Sequence, residues 1–405
     1  MKSGFAKRII TPSFFTRMAG FDRREGPATG TLDELYVTVL ALIPDKGEAF
    51  VLCAYDLLGV ELGLARRIYA EVGEALHIPS ENVWACATHT HSAPSAVFAY
   101  SSAYSPEYVE FLCTSTVQAA REAVNAAQET SVRMGSAEVD GIASLRDMPR
   151  EVSAYNMPLR VITFGGHRLV RFACHPTILN EKNLLYSRDL PGAAGLENAI
   201  FVNGACGDLS TRYTRQGSGV PELMRMGALL RNAVEQTEPV NCGDFDRKIT
   251  ATRESFWVPQ GLSFDESQRA GLIEILTERM KACTDREAQR EYDARLAVLE
   301  RPKQPQSEYR ELEVCCADLG GALLAGLPFE VNCADGAEIE AELSTLTGRP
   351  TLLLCYTGGY DGYLPSGRPV DADSSYQDFA SKLPPYTRQR AVDALIICAN
   401  RLRNL

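Results

Sequence analysis

The stretch that most constrains this chain is Val83 to Ser92, VWACATHTHS, where two of the five histidines fall together. An apolar run rich in β-prone residues gives way to polar ones, which predicts a buried strand whose C-terminal end opens into a site. Because side chains alternate along a strand, His89 and His91 are predicted to project from one face. Two imidazoles on one face can reach one ion, although the spacing equally fits two solvated or capped rings.

Composition limits the class of protein. A chain of 405 residues with 45% hydrophobic and 23% charged residues is ordinary for a soluble globular enzyme of one large or a few smaller domains. The formal net charge of −11 is spread without long runs of one sign. Such a charge argues against a protein that binds phosphate backbones, so we expect no nucleic-acid partner.

The termini and cysteines predict a cytoplasmic protein. The N-terminus MKSGFAKRIITPSFF lacks the apolar core of a secretory signal, and no window approaches the length of a transmembrane segment. The twelve cysteines include no CxxC pair, and most stand in apolar surroundings. We therefore expect reduced thiols in the core rather than a disulfide framework.

Hydrophobic periodicity predicts alternating strands and helices. Strands are expected at 35–43, 48–60, 158–164, 168–175, 199–203, 311–327 and 351–355, and helices at 62–77, 105–129, 221–237, 264–300, 336–348 and 387–403. Ser105 and Pro106 are typical of a helix start, and the residues 302–306, PKQPQ, predict a break. This alternation predicts an α/β fold in which mixed sheets are covered by helices.

Several side chains able to do chemistry stand where predicted buried strands end. They are His89, His91, His175, Asp208, Ser210, Glu330, Tyr360 and Tyr363. Three imidazoles, carboxylates and a phenol suit a zinc-type site with nitrogen and oxygen ligands. A zinc site with one position open to water is hydrolytic, so the residues by themselves point to a metal-dependent hydrolase.

At these residues the chain resembles the N-terminal catalytic domain of the neutral/alkaline ceramidases. The resemblance is carried by ATHTHSAPS at 87–95, CHPTIL and SRDLPG within 174–192, NGACGDLS at 203–210, LPFE at 327–330 and YDGYLPS at 360–366. It implies one layered catalytic domain over 1–405, with β-sheets packed between α-helices. The C-terminal immunoglobulin-like domain of the longer ceramidases has no counterpart in this sequence.

The resemblance also implies roles for individual residues. Carried onto this chain, the zinc ligands are His89, His175, Glu330 and Tyr363, and the residues beside the metal are His91, Arg146, Tyr376 and the proposed nucleophile Ser210.

Each residue also has a purely structural interpretation. His175 fits a buried histidine bonded to backbone, Tyr360 and Tyr363 fit core aromatics with a tethered hydroxyl, and Arg146 fits a surface arginine. Ser210 equally fits a turn in which Asp208 accepts backbone N–H bonds.

Two further carboxylates are Asp56, in DLLGV at 56–60, and Asp189, in SRDLPG at 187–192. Each fits an acceptor whose hydrogen bond orients a metal-binding histidine, and each equally fits a helix or turn cap.

The expected reaction is cleavage of an amide in an N-acyl compound by metal-activated water, with His91 moving the proton. Ceramide, a sphingolipid, is one such substrate. Without a lipid-docking feature in the sequence, we expect soluble N-acyl amides to be better substrates than long-chain ceramide. Hydrolysis of an ester or cyclic amide at the same site, and a non-catalytic binding protein, are the alternatives. The sequence leaves the oligomeric state open.

Overall fold

The computed structural model describes residues 1–21, 23–146, 157–241, 248–261, 266–300 and 309–403. The first two described ranges, 1–21 and 23–146, form β1 (Lys2–Ile9), β2 (Gly30–Thr31), β3 (Tyr36–Ile43), β4 (Phe50–Tyr55), α1 (Leu62–Leu76), β5 (Val83–Ala87), α2 (Pro106–Asn125), β6 (Gln128–Glu129), β7 (Val132–Val139) and β8 (Ser144–Leu145). The middle of the chain forms β9 (Met157–Phe164), β10 (His167–Phe172), β11 (Leu185–Tyr186), α3 (Leu190–Ala194), β12 (Ala199–Asn203), β13 (Leu209–Ser210), α4 (Gly219–Gln236), β14 (Thr250–Pro259), α5 (Glu266–Ala282) and α6 (Arg286–Leu299). The last described range forms β15 (Tyr309–Asp318), β16 (Leu323–Gly326), α7 (Cys333–Thr347), β17 (Thr351–Leu354), α8 (Tyr376–Ala380) and α9 (Thr387–Arg403).

Three mixed sheets build the core. Their strand orders are β5-β4-β3-β1-β6, β12-β10-β9-β7 and β14-β15-β16-β17. In each sheet one pair of neighbours is parallel: β4 with β5, β10 with β12, and β16 with β17. The carboxyl ends of these parallel pairs supply the loops that form the candidate site.

Strand β4 illustrates why the sequences of the central strands are continuous apolar runs. Leu52 packs in the core where the three sheets meet, whereas Cys53 packs in the core between the first sheet and its helices. Because both faces of the strand are buried, alternation between apolar and polar residues is lost. All six residues of the strand are buried.

Helices cover the outer faces of the sheets. Helices α1 and α2 pack on the first sheet, while α4, α7 and α9 pack on the other two. The described residues therefore form helix layers on either side of stacked sheets, which confirms the predicted α/β fold with mixed sheets between helices.

The predicted helix start at Ser105 is confirmed, because its side chain accepts a hydrogen bond from the N–H of Tyr108 and Pro106 begins α2. The helix predicted over 264–300 is two helices, α5 and α6, with an N-cap at Asp285 between them. Residues 283–285 do not continue the helix because the Asp285 carboxylate caps the second one. The break predicted at 302–306 lies outside the described residues.

The eleven cysteines among the described residues are free thiols, and most are buried. None of the helices in the described ranges combines the length and apolarity that crossing a bilayer requires.

Candidate active site

The site lies where loops from the three sheets meet. Backbone hydrogen bonds join them: Ala87 N–H donates to the carbonyl of Tyr356, and Cys355 N–H donates to that of Asn203. Strands β5, β12 and β17 thus deliver their following residues to one place. This is where ligands bind in many α/β folds, at the carboxyl ends of strands.

The two histidines of the THTH stretch meet, but not in the way the strand pattern predicts. Strand β5 ends at Ala87, and His89 has φ +68°, so the prediction that both project from one strand face was wrong. The N–H of His89 donates to the carbonyl of Leu57 in the loop after β4, which bends the chain away from the ladder. His89 Nε2 and His91 Nε2 nevertheless lie 3.4 Å apart.

His175 reaches the same point from another sheet. It lies three residues beyond the end of β10, and one ligand nitrogen from each of His89, His91 and His175 lies within 4.8 Å of the others. All three histidines are buried. The described residues therefore hold an imidazole cluster with the spacing of a metal site.

Glu330 brings a carboxylate to this cluster. Its Oε2 lies 3.1 Å from His175 Nε2 and 3.5 Å from His89 Nε2. The segment carrying it is held by a bridge to Tyr363, in which Glu330 N–H donates to the carbonyl of Gly362 and Leu364 N–H donates to that of Glu330. Glu330 is 4% exposed, so its charge faces the imidazoles and not solvent.

Hydrogen bonds to main-chain carbonyls determine which ring nitrogen of His89 and of His175 carries the proton. His89 Nδ1 lies 2.8 Å from the carbonyl oxygen of Leu58, and His175 Nδ1 lies 2.7 Å from that of Cys206. A carbonyl only accepts, so each Nδ1 carries a proton and, in a neutral ring, each Nε2 presents a lone pair. Two lone pairs and a carboxylate oxygen thus converge, an arrangement that a shared cation stabilises.

The ionisation of these groups favours that arrangement. Burial and the nearby Arg146 lower the pKa of His175 to about 4, so this ring is neutral at pH 7. Burial opposes the charged form of Glu330, but the facing imidazoles hold the pKa of its carboxyl well below the usual value. The ionised carboxylate of Glu330 therefore faces the neutral ring of His175.

Two tyrosines support the cluster. Tyr360 donates a hydrogen bond of 2.8 Å to Glu330 Oε1, which leaves Oε2 directed at the histidines. The ring of Tyr356 stacks on His89, with centroids 4.1 Å apart and planes inclined by 18°. Tyr360 was also interpreted as a core aromatic with a tethered hydroxyl, and the group that holds its hydroxyl is the carboxylate of Glu330 in the candidate site.

Arg146 and Tyr363 form a second polar group beside the cluster. Arg146 Nη1 donates a 3.2 Å hydrogen bond to the Tyr363 hydroxyl, and its guanidinium carbon lies 5.9 Å from the ring centroid of Tyr376. Tyr363 and Tyr376 meet edge to face. The structure therefore brings Arg146, Tyr363 and Tyr376 together, and Arg146 does not behave as a surface arginine.

His91 is packed from the N-terminal loop. The ring of Phe21 contacts it edge-on at 4.8 Å between centroids, and a Cβ on Gly20 would lie 2.4 Å from His91 Nδ1. That nitrogen has no hydrogen-bond partner among the described residues. Burial, His89 and His175 together hold the pKa of His91 well below the usual value, so this ring too is neutral at pH 7.

Ser210 and Asp208 have structural partners. Ser210 Oγ accepts a hydrogen bond from the N–H of Arg212, and no hydrogen bond within the described ranges joins it to an imidazole. Asp208 accepts the N–H of Cys333 in the first turn of α7. Asp208 therefore accepts a backbone N–H as predicted, although the partner comes from a distant helix instead of its own turn.

Among the described residues, Asp56 and Asp189 accept hydrogen bonds from groups other than histidines, and only Asp189 is a helix cap. Asp56 accepts hydrogen bonds from the N–H of Tyr36 and the hydroxyl of Thr88. Asp189 accepts the N–H groups of Leu179 and Leu190, at the start of α3. The acceptors that orient the histidines are main-chain carbonyls, which no side-chain pattern in the sequence reveals.

Two solved structures with a similar fold are ceramidases. Neutral ceramidase from Pseudomonas aeruginosa matches with a TM-score of 0.78 and 16% identity, over 100% of this chain and 74% of that one. A ceramidase complexed with C2 matches with a TM-score of 0.78 and 17% identity, over 100% of this chain and 75% of that one. The chain has the neutral ceramidase fold. No protein-family model and no curated protein matches its sequence.

The shared fold extends over the whole chain, as the sequence motifs implied. Sequence reasoning named His89, His91, His175, Glu330, Arg146 and Tyr363 as site residues, and the structure groups them. It missed Phe21 and Tyr356, which pack on the imidazoles and carry no motif of their own beyond an aromatic ring.

Proposed function

We propose that this protein is a zinc-dependent hydrolase of an amide bond in an N-acyl compound. The observation that carries the proposal is the convergence of two imidazole nitrogens on one carboxylate oxygen. Glu330 Oε2 lies 3.1 Å from His175 Nε2 and 3.5 Å from His89 Nε2. His175 carries its proton on Nδ1 and is neutral at pH 7, so its Nε2 and the Glu330 carboxylate face each other as two acceptors. The ceramidase fold supports the choice of an amide over other bonds.

The donor set fits zinc. Two imidazole nitrogens and a carboxylate oxygen are the ligands of many catalytic zinc sites, and we assign the fourth protein ligand to the hydroxyl of Tyr363. A zinc ion bound there supplies Lewis-acid chemistry, activating water and polarising the substrate carbonyl. His91 is the alternative to Tyr363, since its Nε2 lies 3.4 Å from that of His89.

The chain's own residues would position the substrate and the proton. Arg146, held on Tyr363, places a positive charge beside the imidazoles, where it stabilises negative charge developing on an amide oxygen. His91, neutral and packed under Phe21, is the group we assign to accept a proton at its Nε2. The ring of Tyr376, 5.9 Å from the guanidinium carbon of Arg146, helps to hold that side chain in place.

We infer that water and not Ser210 attacks the carbonyl. A serine nucleophile needs a base within hydrogen-bond reach, and Ser210 Oγ instead accepts the N–H of Arg212. The variant Ser210→Ala separates the two routes. Retention of most activity supports water, and a loss of several orders of magnitude with unchanged folding supports the serine.

The decisive experiment combines metal analysis with a substrate panel. We expect about one zinc per chain, loss of activity on chelation and recovery on adding zinc. The panel contains matched N-acyl amides, ceramide, an acyl ester and a cyclic amide. Cleavage of the ester or cyclic amide alone would assign a different bond, and metal-bound protein that cleaves none of them would indicate a binding protein.

A further inference from the structure

An unusual arginine lies next to the candidate site. Arg24 is only 5% exposed, and two of its three guanidinium nitrogens, Nε and Nη2, have no hydrogen-bond partner in the described part of the chain. Nη1 donates a long hydrogen bond of 3.3 Å to the carbonyl of Ala19. Nε–H and Nη2–H point the same way, so the described residues leave a complete edge of the guanidinium without an acceptor.

Leaving that edge unpaired is costly. Burial lowers the pKa of Arg24 to about 10, and the exposed Glu181 opposes the shift only in part. The neighbouring Arg23 shows the ordinary arrangement, because its side chain is 67% exposed and pairs with Asp293 of α6. A buried charge without a partner persists when a ligand supplies the missing counter-charge.

Arg24 is one aromatic ring away from the imidazole cluster. Its guanidinium carbon lies 5.0 Å from the ring centroid of Phe21, and the same ring contacts His91 with 4.8 Å between centroids. The loop is fixed there, since Ala19 N–H donates to the carbonyl of Ala93, two residues beyond His91. Because Arg24 and His91 lie against one ring, they are close enough together for a single small substrate to contact both.

Two further arginines lie near the cluster. Arg146 stands at the histidines, and Arg212 lies close enough to interact with it electrostatically. Arg212 is paired with Glu291 and Arg146 is bonded to Tyr363, so both have partners within the protein. Arg24 differs from both, since its Nε and Nη2 lack an acceptor among the described residues.

We propose that the free edge of Arg24 binds a carboxylate of the substrate, so that the preferred substrate is an N-acyl compound bearing an acidic group, such as an N-acyl amino acid. A carboxylate matches this edge because two parallel N–H groups meet two oxygens. The inference rests on the proposed amide hydrolysis and narrows its substrate class. It separates this protein from an enzyme whose substrate is a neutral lipid amide.

The test compares two amides that differ only in charge, N-hexanoylglycine and N-hexanoylglycinamide, by following hexanoate release. For the unaltered protein we expect kcat/KM to favour the carboxylate by about ten- to a hundredfold, the range of a charge-assisted hydrogen-bonded pair. Arg24→Gln should bring the ratio close to one, and Arg24→Lys, which keeps the charge without the fork, should give an intermediate ratio. Arg23→Gln is the matched control and should keep the full ratio.

An equal rate for the two amides in the unaltered protein would overturn the inference, as would a ratio that survives Arg24→Gln. Thermal unfolding checks the variants: removal of an unpaired buried charge should leave Tm unchanged or raise it. A sharp fall in Tm together with an unchanged ratio would indicate a structural arginine.

Failure of the proposed function is recognised separately, because then neither amide is cleaved. In that event calorimetric titration with N-hexanoylglycine decides the inference, and binding to the unaltered protein but at least tenfold more weakly to Arg24→Gln supports it. Absence of binding, or tighter binding of inorganic phosphate than of the carboxylate, overturns the carboxylate assignment.

Discussion

Glu330 sets the electrostatics of the site at the scale of single residues. It is buried against two imidazoles whose protons are held on their far side by the carbonyls of Leu58 and Cys206. Each group alone has an ordinary structural explanation. Together they are a set of acceptors that a cation stabilises, and removing one of them should release that cation.

We predict that His89→Ala loses bound zinc and nearly all hydrolytic activity, because it removes one ligand nitrogen and the acceptor facing Glu330. Metal content after gel filtration, measured with activity, checks this. His77→Asn is the control, since His77 is an exposed residue at the end of α1 with φ +57°, a conformation that asparagine tolerates. Full zinc content in the His89 variant would remove His89 from the ligand set.

We predict that the buried carboxyl of Asp56 makes the free energy of unfolding depend on pH. Burial raises the pKa of its carboxyl from 3.8 to about 7, so the folded protein binds this proton more tightly than the unfolded chain does. Its contribution to the free energy of unfolding is therefore present below about pH 4 and is lost as pH rises to about 7. The loss is on the order of 2–4 kcal/mol.

Asp56→Asn should flatten this pH dependence, because the amide keeps an acceptor for the N–H of Tyr36 but does not titrate. Urea unfolding between pH 4 and 8 measures the effect as a difference from the unaltered protein. Asp393→Asn, at an exposed carboxylate on α9, is the control. Parallel curves for Asp56→Asn and the unaltered protein would contradict the prediction.

At the scale of elements, the loop before β2 matters because it closes one side of the site. Gly20 has φ +99°, and its Cα faces the ring of His91 so closely that no side chain fits between them. The loop thereby fixes where His91 lies, and Phe21 and Arg24 follow on the same loop.

Gly20→Ala should lower activity at least about tenfold, because the new methyl group must displace the His91 ring. Gly26→Ala is a matched control: Gly26 has φ +91°, but a Cβ there meets nothing within 4 Å. Both variants carry backbone strain of about 1 kcal/mol, so comparing their activities at equal folded fraction isolates the contact with His91. Equal activity in the two would contradict a positioning role for Gly20.

Elements also explain which sequence predictions succeeded. The runs that became β3, β4 and β5 have apolar residues buried on both faces, so their composition identified them. The short pairs β2 with β11 and β8 with β13 have two residues each, too few for any periodicity to show. The bend at His89 escaped prediction because hydrogen bonds to the loop after β4 cause it.

At the scale of the whole molecule, stability depends on burial and not on cross-links. The described cysteines are free thiols, and burial raises the pKa of several, including Cys53 and Cys355, to about 12. Such thiols are protonated and react slowly. We therefore expect the same Tm with and without a reducing agent, measured by calorimetry. A fall in Tm on reduction would reveal a disulfide.

The sequence by itself determined the α/β class and the long strands and helices, because buried strands and helix caps follow from local composition and spacing. It also proposed the site residues, from side chains at strand ends and from the resemblance to ceramidases. Only the tertiary structure decided how His89 and His175 face Glu330, and that Arg24, whose Nε and Nη2 lack acceptors among the described residues, lies against the ring of Phe21. Those relations join segments far apart in the chain, through main-chain carbonyls and packing that no local pattern encodes.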